Sequence, residues 1–231
     1  MRYRSPGSGS TLSLAFQARL PEPVANLRVA RRFQLRDSVG ISPNFPAFAI
    51  FILPFLSMGI ADSIVLLNTG NGKGKSSAAF GVMSRGWARG WRVVVVQFIK
   101  SGKYKTGEKK LGEHLGIEWH TLGDGFTWES TDLDETAAKG KHAFNVASEL
   151  LASANYDLVI LDELTYAISY GWVSEQEVTD AIKNRSSKTN VVITGRNATQ
   201  GLIDVCDTVT EMRKIKHAYD TGIRAKKGIE Y

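Results

Sequence analysis

The chain has 231 residues, of which 43% are hydrophobic and 23% are charged, so it is long enough for one α/β domain plus an extension. Its formal net charge of +6 is concentrated at the amino end. Residues 1–57 hold seven Arg and two acidic residues, whereas residues 58–231 hold 22 basic and 21 acidic residues, a net charge of +1. Because the larger part of the chain is nearly neutral, we expect no nucleic-acid partner.

The amino-terminal part differs in composition from the rest. It is rich in Arg, Ser and Pro up to residue 40, and an apolar run follows at 45–60. This run is shorter than the ~20 residues of a membrane-spanning helix, and Pro46 and Pro54 interrupt it, so we expect no membrane anchor. An organelle transit peptide is compatible with the Arg and Ser content. We favour an extension at 1–57 that is disordered or lies outside the natural coding sequence, followed by the functional domain at 58–231.

Strands and helices alternate after Met58. The predicted strands are 63–68, 92–99, 117–121, 156–161, 190–194 and 207–212. The predicted helices are 75–88, 108–115, 134–154, 174–184 and 198–205. Several strands are continuous runs of Val, Ile and Leu, which indicates burial on both faces. The alternation predicts a mainly parallel sheet with helices on both faces, in which ligands bind beyond the carboxyl ends of the strands. Ser174 and Glu177 have the spacing of a capping box.

The run 69–77, with the letters TGNGKGKSS, links the first predicted strand to the first predicted helix. Glycines let backbone N–H groups converge on phosphate oxygens, and the helix N-terminus adds partial positive charge. Lys75 is placed to reach a terminal phosphate and Ser76 to ligate Mg²⁺, although Thr69 stands where the general pattern has Gly. We therefore predict a phosphate-binding loop rather than a solvated turn. The fold class that follows is a single α/β domain of the P-loop NTPase-like (RecA-like) type.

Charged residues follow two of the later strands. Asp162 and Glu163 end the fourth strand, where a carboxylate meets the metal on bound phosphates in nucleotide-binding sheets. An ordinary acidic helix cap is the alternative. Arg196 follows the fifth strand, where it contacts phosphate or is a surface charge at a helix start. The basic tail at 214–231 is a lid, a docked arm or a frayed terminus.

Two other loops carry candidate binding residues. Lys103 and Lys105 follow the second strand and either meet an acidic ligand or are simply solvated. Phe126 and Trp128 follow the third strand in a glycine-flanked polar loop. On the residues alone, core packing is the better interpretation of this pair, and an apolar floor under a flat ligand is the alternative.

One cysteine and one histidine need separate interpretations. Cys206 cannot form an intrachain disulfide, and we expect it to be a small buried apolar group in a protein of the reducing cytoplasm. The spacing of Glu118, His120 and Gly123 approximates the Asp-x-His-x-x-Gly pattern by which some corrinoid proteins ligate cobalt. Because Glu replaces Asp and the flanking pattern differs, we do not expect His120 to ligate a metal.

Taken together, several blocks resemble the ATP:corrinoid adenosyltransferases of the CobA (BtuR/CobO) type, over about 62–231. The blocks are 69–77, 96–100, 105–108, 125–129, 161–166, 193–196, 216–220 and 227–231. The resemblance implies that MgATP and a corrinoid reduced to Co(I) are bound. Co(I) attacks the 5′ carbon of the ribose, tripolyphosphate leaves, and a cobalt–carbon bond forms. It also implies that ATP is bound in the opposite orientation to that in ordinary P-loop enzymes, so that the loop stabilises a tripolyphosphate leaving group. The two loop lysines, Lys73 and Lys75, are suited to this task.

The resemblance assigns roles to residues of this chain. The triphosphate is cradled by residues of the loop, which are Thr69, Gly70, Asn71, Gly72, Lys73, Gly74, Lys75, Ser76 and Ser77, with Arg196 also at the nucleotide. Ser76 and Glu163 hold Mg²⁺ (or Mn²⁺), with Asp162 at or behind the metal. Phe126 and Trp128 lie beneath the corrin and keep a lower axial ligand off cobalt, which eases reduction to Co(I). No protein side chain acts as nucleophile, because the corrinoid supplies it.

The expected partners are a corrinoid, a flavoprotein-type reductase and a second copy of the chain, in the cytoplasm. Two alternatives come from other classes of function. A P-loop ATPase or kinase would act at the γ-phosphate and release phosphate or a phosphorylated product. A non-catalytic regulator would bind ATP through the same loop and turn over no corrinoid.

Overall fold

The computed structural model describes residues 61–99, 106–123 and 133–230. The extension predicted at 1–57 lies outside the described residues, and so do Lys103, Lys105, Phe126 and Trp128. Among the helices of the described part, none combines the length and the apolar character that crossing a bilayer requires.

The described residues form six strands and six α-helices, which alternate except that two helices follow the fourth strand. The strands are β1 (Val65–Thr69), β2 (Val93–Gln97), β3 (Glu118–Thr121), β4 (Leu158–Asp162), β5 (Asn190–Thr194) and β6 (Thr208–Glu211). The helices are α1 (Lys75–Ala88), α2 (Gly107–His114), α3 (Leu133–Ala152), α4 (Leu164–Ser169), α5 (Glu175–Lys183) and α6 (Gln200–Asp204), and a 3₁₀ helix follows at Ala218–Thr221. Every predicted strand and helix is present, and no end differs by more than two residues.

The sequence did not predict two short elements. Helix α4 has six residues and the 3₁₀ helix has four. Both are too short to show a helical repeat of apolar residues, which needs a window of at least eleven residues or so. Helix α4 matters for the site, because it begins directly after Glu163.

The six strands form one parallel sheet in the order β3-β2-β4-β5-β1-β6. Alternate residues of the central strands pack on opposite faces. Val94, Val96, Val159 and Leu161 belong to the cluster that also contains residues of α3, α5 and α6. Their neighbours along β2 and β4 belong to a second cluster with Ala79, Phe80 and Met83 of α1. The sheet is therefore covered on both faces, which explains why its strands are continuous apolar runs.

A row of polar residues crosses the sheet at its carboxyl end. Gln97 lies beside Thr121 of β3 and Asp162 of β4, and Asn68 of β1 lies beside Thr194 of β5. Since Leu161 pairs with Ile193, the next positions bring Asp162 and Thr194 together. We call Thr121, Gln97, Asp162, Thr194 and Asn68 the polar row. It marks the edge of the sheet where parallel α/β proteins bind ligands.

The predicted capping box is confirmed at the start of α5. The Ser174 hydroxyl accepts a hydrogen bond from the Glu177 backbone N–H at 3.2 Å, and the Ser174 backbone N–H donates to the Glu177 carboxylate at 2.9 Å. Two backbone donors that the helix itself cannot satisfy thus find side-chain acceptors.

Replacing the cap should therefore destabilise the protein. We expect Ser174→Ala to lower the free energy of unfolding by about 1 kcal/mol, since the side-chain acceptor at the N-cap is lost. Urea denaturation followed by circular dichroism measures this change. The matched control is Ser84→Ala, on an exposed position inside α1, which should not destabilise because Ala is the better helix former there. Equal losses in the two variants would contradict the capping role.

Candidate nucleotide site

The loop between β1 and α1 has the backbone shape of a phosphate-binding loop. Gly70 and Gly74 have φ angles of +92° and +109°, in a region that residues other than glycine rarely adopt. Gly74 is also the N-cap residue of α1, and as a glycine it places no side chain over the first turn of that helix. The helix N-terminus is thus left to an external acceptor, which is the arrangement that binds anions.

Lys75 is affected by the other charged residues predicted for this site. Its Nζ atom donates to the backbone oxygen of Gly72 at 2.7 Å. Burial lowers the pKa of the Lys75 ammonium, the positive charge of Arg196 lowers it further, and the carboxylates of Glu163 and Asp162 oppose both effects. The tertiary structure therefore brings the lysine of the loop, the arginine after β5 and the carboxylates after β4 into one electrostatic environment.

The two carboxylates differ in their surroundings. Asp162 is completely buried, and its two oxygens accept hydrogen bonds from Gln97 Nε2 at 2.9 Å and Thr194 Oγ1 at 2.8 Å. Glu163 has a φ of +66°, and its backbone N–H donates to Thr194 Oγ1 at 2.9 Å. The chain turns sharply at Glu163, between the end of β4 and the start of α4. The Thr194 hydroxyl is hydrogen-bonded to both Asp162 and Glu163.

Thr69 and Arg196 are linked through the backbone. The Thr69 hydroxyl, which is the departure from the usual loop pattern, accepts a hydrogen bond from the backbone N–H of Ala198 at 3.3 Å. This bond ties the phosphate-binding loop to the segment that carries Arg196. A glycine at position 69 could not make it.

The carboxyl-terminal segment is docked on the loop. The Gly72 N–H donates to the backbone oxygen of Met212 at 2.5 Å, and the Met212 N–H donates to the backbone oxygen of Thr69 at 2.8 Å. Near the end of the chain, Lys73 forms an ion pair with Glu230. Of the three alternatives that the sequence left open for the tail at 214–231, the ion pair of Glu230 with Lys73 favours a docked arm.

A cavity of about 620 Å³ lies between the loop and this segment, which is within the range of small-molecule sites. Asn71 of the loop and Arg196 line it on one side, and Arg213, Lys214 and Tyr219 line it from the carboxyl-terminal segment. The lining also contains Glu211 and Asp220, and Asp220 forms an ion pair with Lys214. The two arginines, Arg196 and Arg213, are therefore the lining groups best suited to a polyanionic ligand.

His120 and Cys206 contact neighbouring groups of the protein. His120 Nε2 is 2.7 Å from Glu118 Oε1, and the Tyr156 hydroxyl donates to the same carboxylate, which raises the pKa of Tyr156 to about 12. No group of three or more His, Cys, Asp or Glu side chains suited to a metal occurs within the described ranges. Cys206 is half-buried rather than fully buried, and burial raises the pKa of its thiol to about 11.

Gln97, Thr194, Met212 and Glu230 were not predicted as part of this site. The sequence signal that could have identified Gln97 is its position at the end of a run of four valines in β2. A buried amide in such a strand is expected to have hydrogen-bond partners. The predicted residues Phe126 and Trp128 lie outside the described residues.

The parallel sheet, the glycine loop at the end of its β1 strand and the cavity beside it, which Arg196 and Arg213 line, define a P-loop nucleotide-binding protein. A more specific assignment comes from comparison with known proteins. The family model described as ATP:corrinoid adenosyltransferase BtuR/CobO/CobP matches residues 61–231, and the chain belongs to this family.

Individual relatives agree. A corrinoid adenosyltransferase of Pseudomonas aeruginosa is 44% identical over 170 residues, which cover 73% of this chain and 83% of that protein. The corrinoid adenosyltransferase of Escherichia coli K12 is 40% identical over 168 residues, 73% of this chain and 85% of the relative. The protein called corrinoid adenosyltransferase CobA in Salmonella typhimurium is 41% identical over 168 residues, with the same coverage of both chains.

The close contact between the loop and Met212 can be tested with one methyl group. A Cβ atom on Gly72 would lie 2.6 Å from the Met212 backbone oxygen and 2.8 Å from the Arg213 backbone. We expect Gly72→Ala to displace the carboxyl-terminal segment and so to speed tryptic cleavage at Arg213, Lys214 and Lys216. Mass spectrometry of samples taken during the digestion measures the rate of cleavage at each site. The control is Gly81→Ala in α1, whose Cβ would meet no atom within 4 Å. Identical cleavage of the two variants would contradict this packing.

Proposed function

We propose that this chain transfers the 5′-deoxyadenosyl group of MgATP to the Co(I) centre of a corrinoid such as cobalamin, cobinamide or cobyrinic acid a,c-diamide. Co(I) donates an electron pair to the 5′ carbon of the ribose, and a cobalt–carbon bond forms. The bond between that carbon and the triphosphate oxygen breaks, and its electron pair leaves with tripolyphosphate. The membership in the family supports the overall reaction. The positive φ angles of Gly70 and Gly74 and the cavity lined by Asn71 and Arg196 carry the assignment of the site. The effects of Arg196 and Glu163 on the pKa of Lys75 agree with it.

The protein's task in this reaction is to bind a leaving group that carries growing negative charge. Preorganised positive groups at that position lower the barrier, because they need no rearrangement as charge develops. The loop offers Lys73 and Lys75, the N–H groups at the start of α1 and the Ser76 and Ser77 hydroxyls. On binding, Lys75 would exchange its hydrogen bond to the Gly72 oxygen for one to a phosphate oxygen. Lys73 would likewise exchange its ion pair with Glu230 for one with a phosphate.

The donor set fits Mg²⁺, which prefers oxygen ligands and retains several waters. Ser76 and Glu163 would hold it, and it would neutralise charge on the leaving tripolyphosphate. The contacts of Asp162 support a position behind the metal rather than on it. Both of its oxygens already accept hydrogen bonds from within the sheet, so Asp162 is suited to fix the turn from which Glu163 projects.

For the corrinoid we propose the aromatic floor implied by the family, with Phe126 and Trp128 beneath the corrin. Excluding a lower axial ligand makes Co(II) easier to reduce, and a flavoprotein-type reductase would supply the electron. A homodimer and a cytoplasmic location complete the proposal. They rest on the likeness to the family rather than on contacts within the chain.

The phosphate product separates this reaction from its alternatives. The full-length chain is incubated with MgATP and chemically reduced cobalamin, and the corrin spectrum and the phosphate products are followed together. Adenosyl transfer gives an alkylated corrinoid and tripolyphosphate in equal amounts. Orthophosphate without cobalt alkylation would indicate a γ-phosphate enzyme, and ATP binding without turnover would indicate a regulator.

Loss of the loop lysine should abolish catalysis. We expect Lys75→Ala to lower kcat with preformed Co(I) by about 100-fold or more, the typical cost of removing one preorganised donor from a developing charge. Initial rates of corrinoid alkylation measure this. Lys183→Ala, at an exposed position in the last turn of α5, is the control and should keep full activity. A Lys75→Ala enzyme with normal turnover would contradict the role.

The aromatic floor predicts a loss that depends on the oxidation state of cobalt. Trp128→Ala should slow the reaction that starts from Co(II) and a reductase more than the reaction that starts from preformed Co(I), because the floor acts on the reduction step. Rates measured in parallel in the two assays give the comparison. Equal losses would argue against this role for Trp128.

A further inference from the structure

Gln97 is a buried amide with both of its ends hydrogen-bonded. It is 2% exposed and ends β2, whose other four residues are valines that are also buried. Its Nε2 atom donates to Asp162 Oδ2 at 2.9 Å, and its Oε1 atom accepts from Trp119 Nε1 at 2.9 Å. Thr121 Oγ1 is a further donor to the same oxygen, at 3.4 Å. Gln97 thus connects the edge strand β3 to the carboxylate at the end of β4.

The direction of this connection is fixed by Trp119. An indole N–H can only donate a hydrogen bond, so the oxygen of the Gln97 amide has to face Trp119. The NH₂ end must then face Asp162. The Trp119 ring is itself held by packing, with its centroid 5.3 Å from that of Phe80, and a Cβ on Gly112 would lie only 2.6 Å from it.

Asp162 passes this constraint on to the turn at Glu163. Its other oxygen accepts from Thr194 Oγ1, which in turn accepts from the Glu163 backbone N–H. The series therefore runs from Trp119 through Gln97, Asp162 and Thr194 to the residue that the proposed function places on Mg²⁺. Apart from Trp119, which is the second residue of β3, the members of the series end β2, β4 and β5 or directly follow β4.

We propose that Gln97 is a positioning residue for the metal–triphosphate site, with Trp119 fixing the orientation of its amide. Gln97 holds the Asp162 carboxylate in one orientation and so fixes the turn from which Glu163 projects. This inference rests on the proposed function, since it takes Glu163 to be a metal ligand. Residues that orient metal ligands typically contribute 10- to 100-fold to metal affinity or activity.

The test compares ATP binding with and without the metal. The affinity of each variant for ATP is measured by titration calorimetry, once with excess Mg²⁺ and once with EDTA. We expect Gln97→Met, which keeps the length of the side chain but neither hydrogen bond, to weaken binding of MgATP about 10-fold. Binding of ATP in EDTA should be unchanged, because the loop itself is intact. In turnover, the KM for MgATP should rise while the KM for cobalamin stays the same.

A matched control separates positioning from general loss of stability. Thr189 is fully buried, and its hydroxyl donates to the Tyr156 backbone oxygen at 2.9 Å, at the opposite end of the sheet. Thr189→Val removes a buried hydrogen bond, as Gln97→Met does, but it should leave both ATP affinities unchanged. If the two variants lose the same stability and neither changes the affinity for MgATP, Gln97 is only structural and the inference is wrong.

A second pair keeps the test decisive should Gln97→Met fail to fold. Trp119→Phe removes the indole donor and retains a ring, so that only the longer bond from Thr121 Oγ1 still orients the Gln97 amide. MgATP binding should therefore weaken, by less than with Gln97→Met. Trp87→Phe is its control, because Trp87 Nε1 donates to the Leu115 backbone oxygen at 3.0 Å, outside the series. Unchanged MgATP affinity in Trp119→Phe would overturn the inference. If the wild-type chain itself shows no effect of Mg²⁺ on ATP affinity, the proposed metal site fails instead.

Discussion

The buried carboxyl group of Asp162 is the constraint on which the site depends. A buried polar group without partners costs about 1–3 kcal/mol, and more when it is charged, so Asp162 requires donors from its neighbours. Gln97 and Thr194 provide them from the two flanking strands. They can do so only when β2, β4 and β5 run parallel in the observed register. The bonds that make this burial acceptable therefore also align the carboxyl edge of the sheet, where the turn at Glu163 and the glycine loop meet.

Distant parts of the chain complete the nucleotide site. The glycine loop follows the first strand, yet its contacts come from the segment after the last strand, through Met212 and Glu230. The β1 strand lies between β5 and β6, and the chain that leaves β6 consequently emerges beside the loop. A substrate in the adjoining cavity would contact the loop, the segment after β5 and the carboxyl-terminal segment at once. The position of β1 between β5 and β6 is what allows this.

The chemistry of the family explains why so few titratable groups are needed here. In the proposed reaction the corrinoid supplies the nucleophile, and the protein has to hold two substrates and receive the charge of a leaving tripolyphosphate. A loop with two lysines, an arginine and a helix N-terminus meets that need. The proposed reaction assigns no role to the half-buried thiol of Cys206, whose pKa burial raises to about 11, or to His120, which is paired with Glu118.

The sequence by itself determined the order and type of the main elements, the phosphate-binding loop and the family. Those features are local: a strand is read from a run such as Val93–Gln97, and the loop from glycines and lysines within nine consecutive residues. Only the tertiary structure decided which strands are neighbours, and so it alone docked Met212 on Gly72 and joined Gln97 to Asp162. These pairs are far apart in the chain, and strand order is set by packing and by the pairing of buried polar groups, neither of which leaves a periodic signal in the sequence. Helix α4 escaped prediction for a related reason, because a helix of six residues follows from the turn at Glu163 rather than from a pattern of its own.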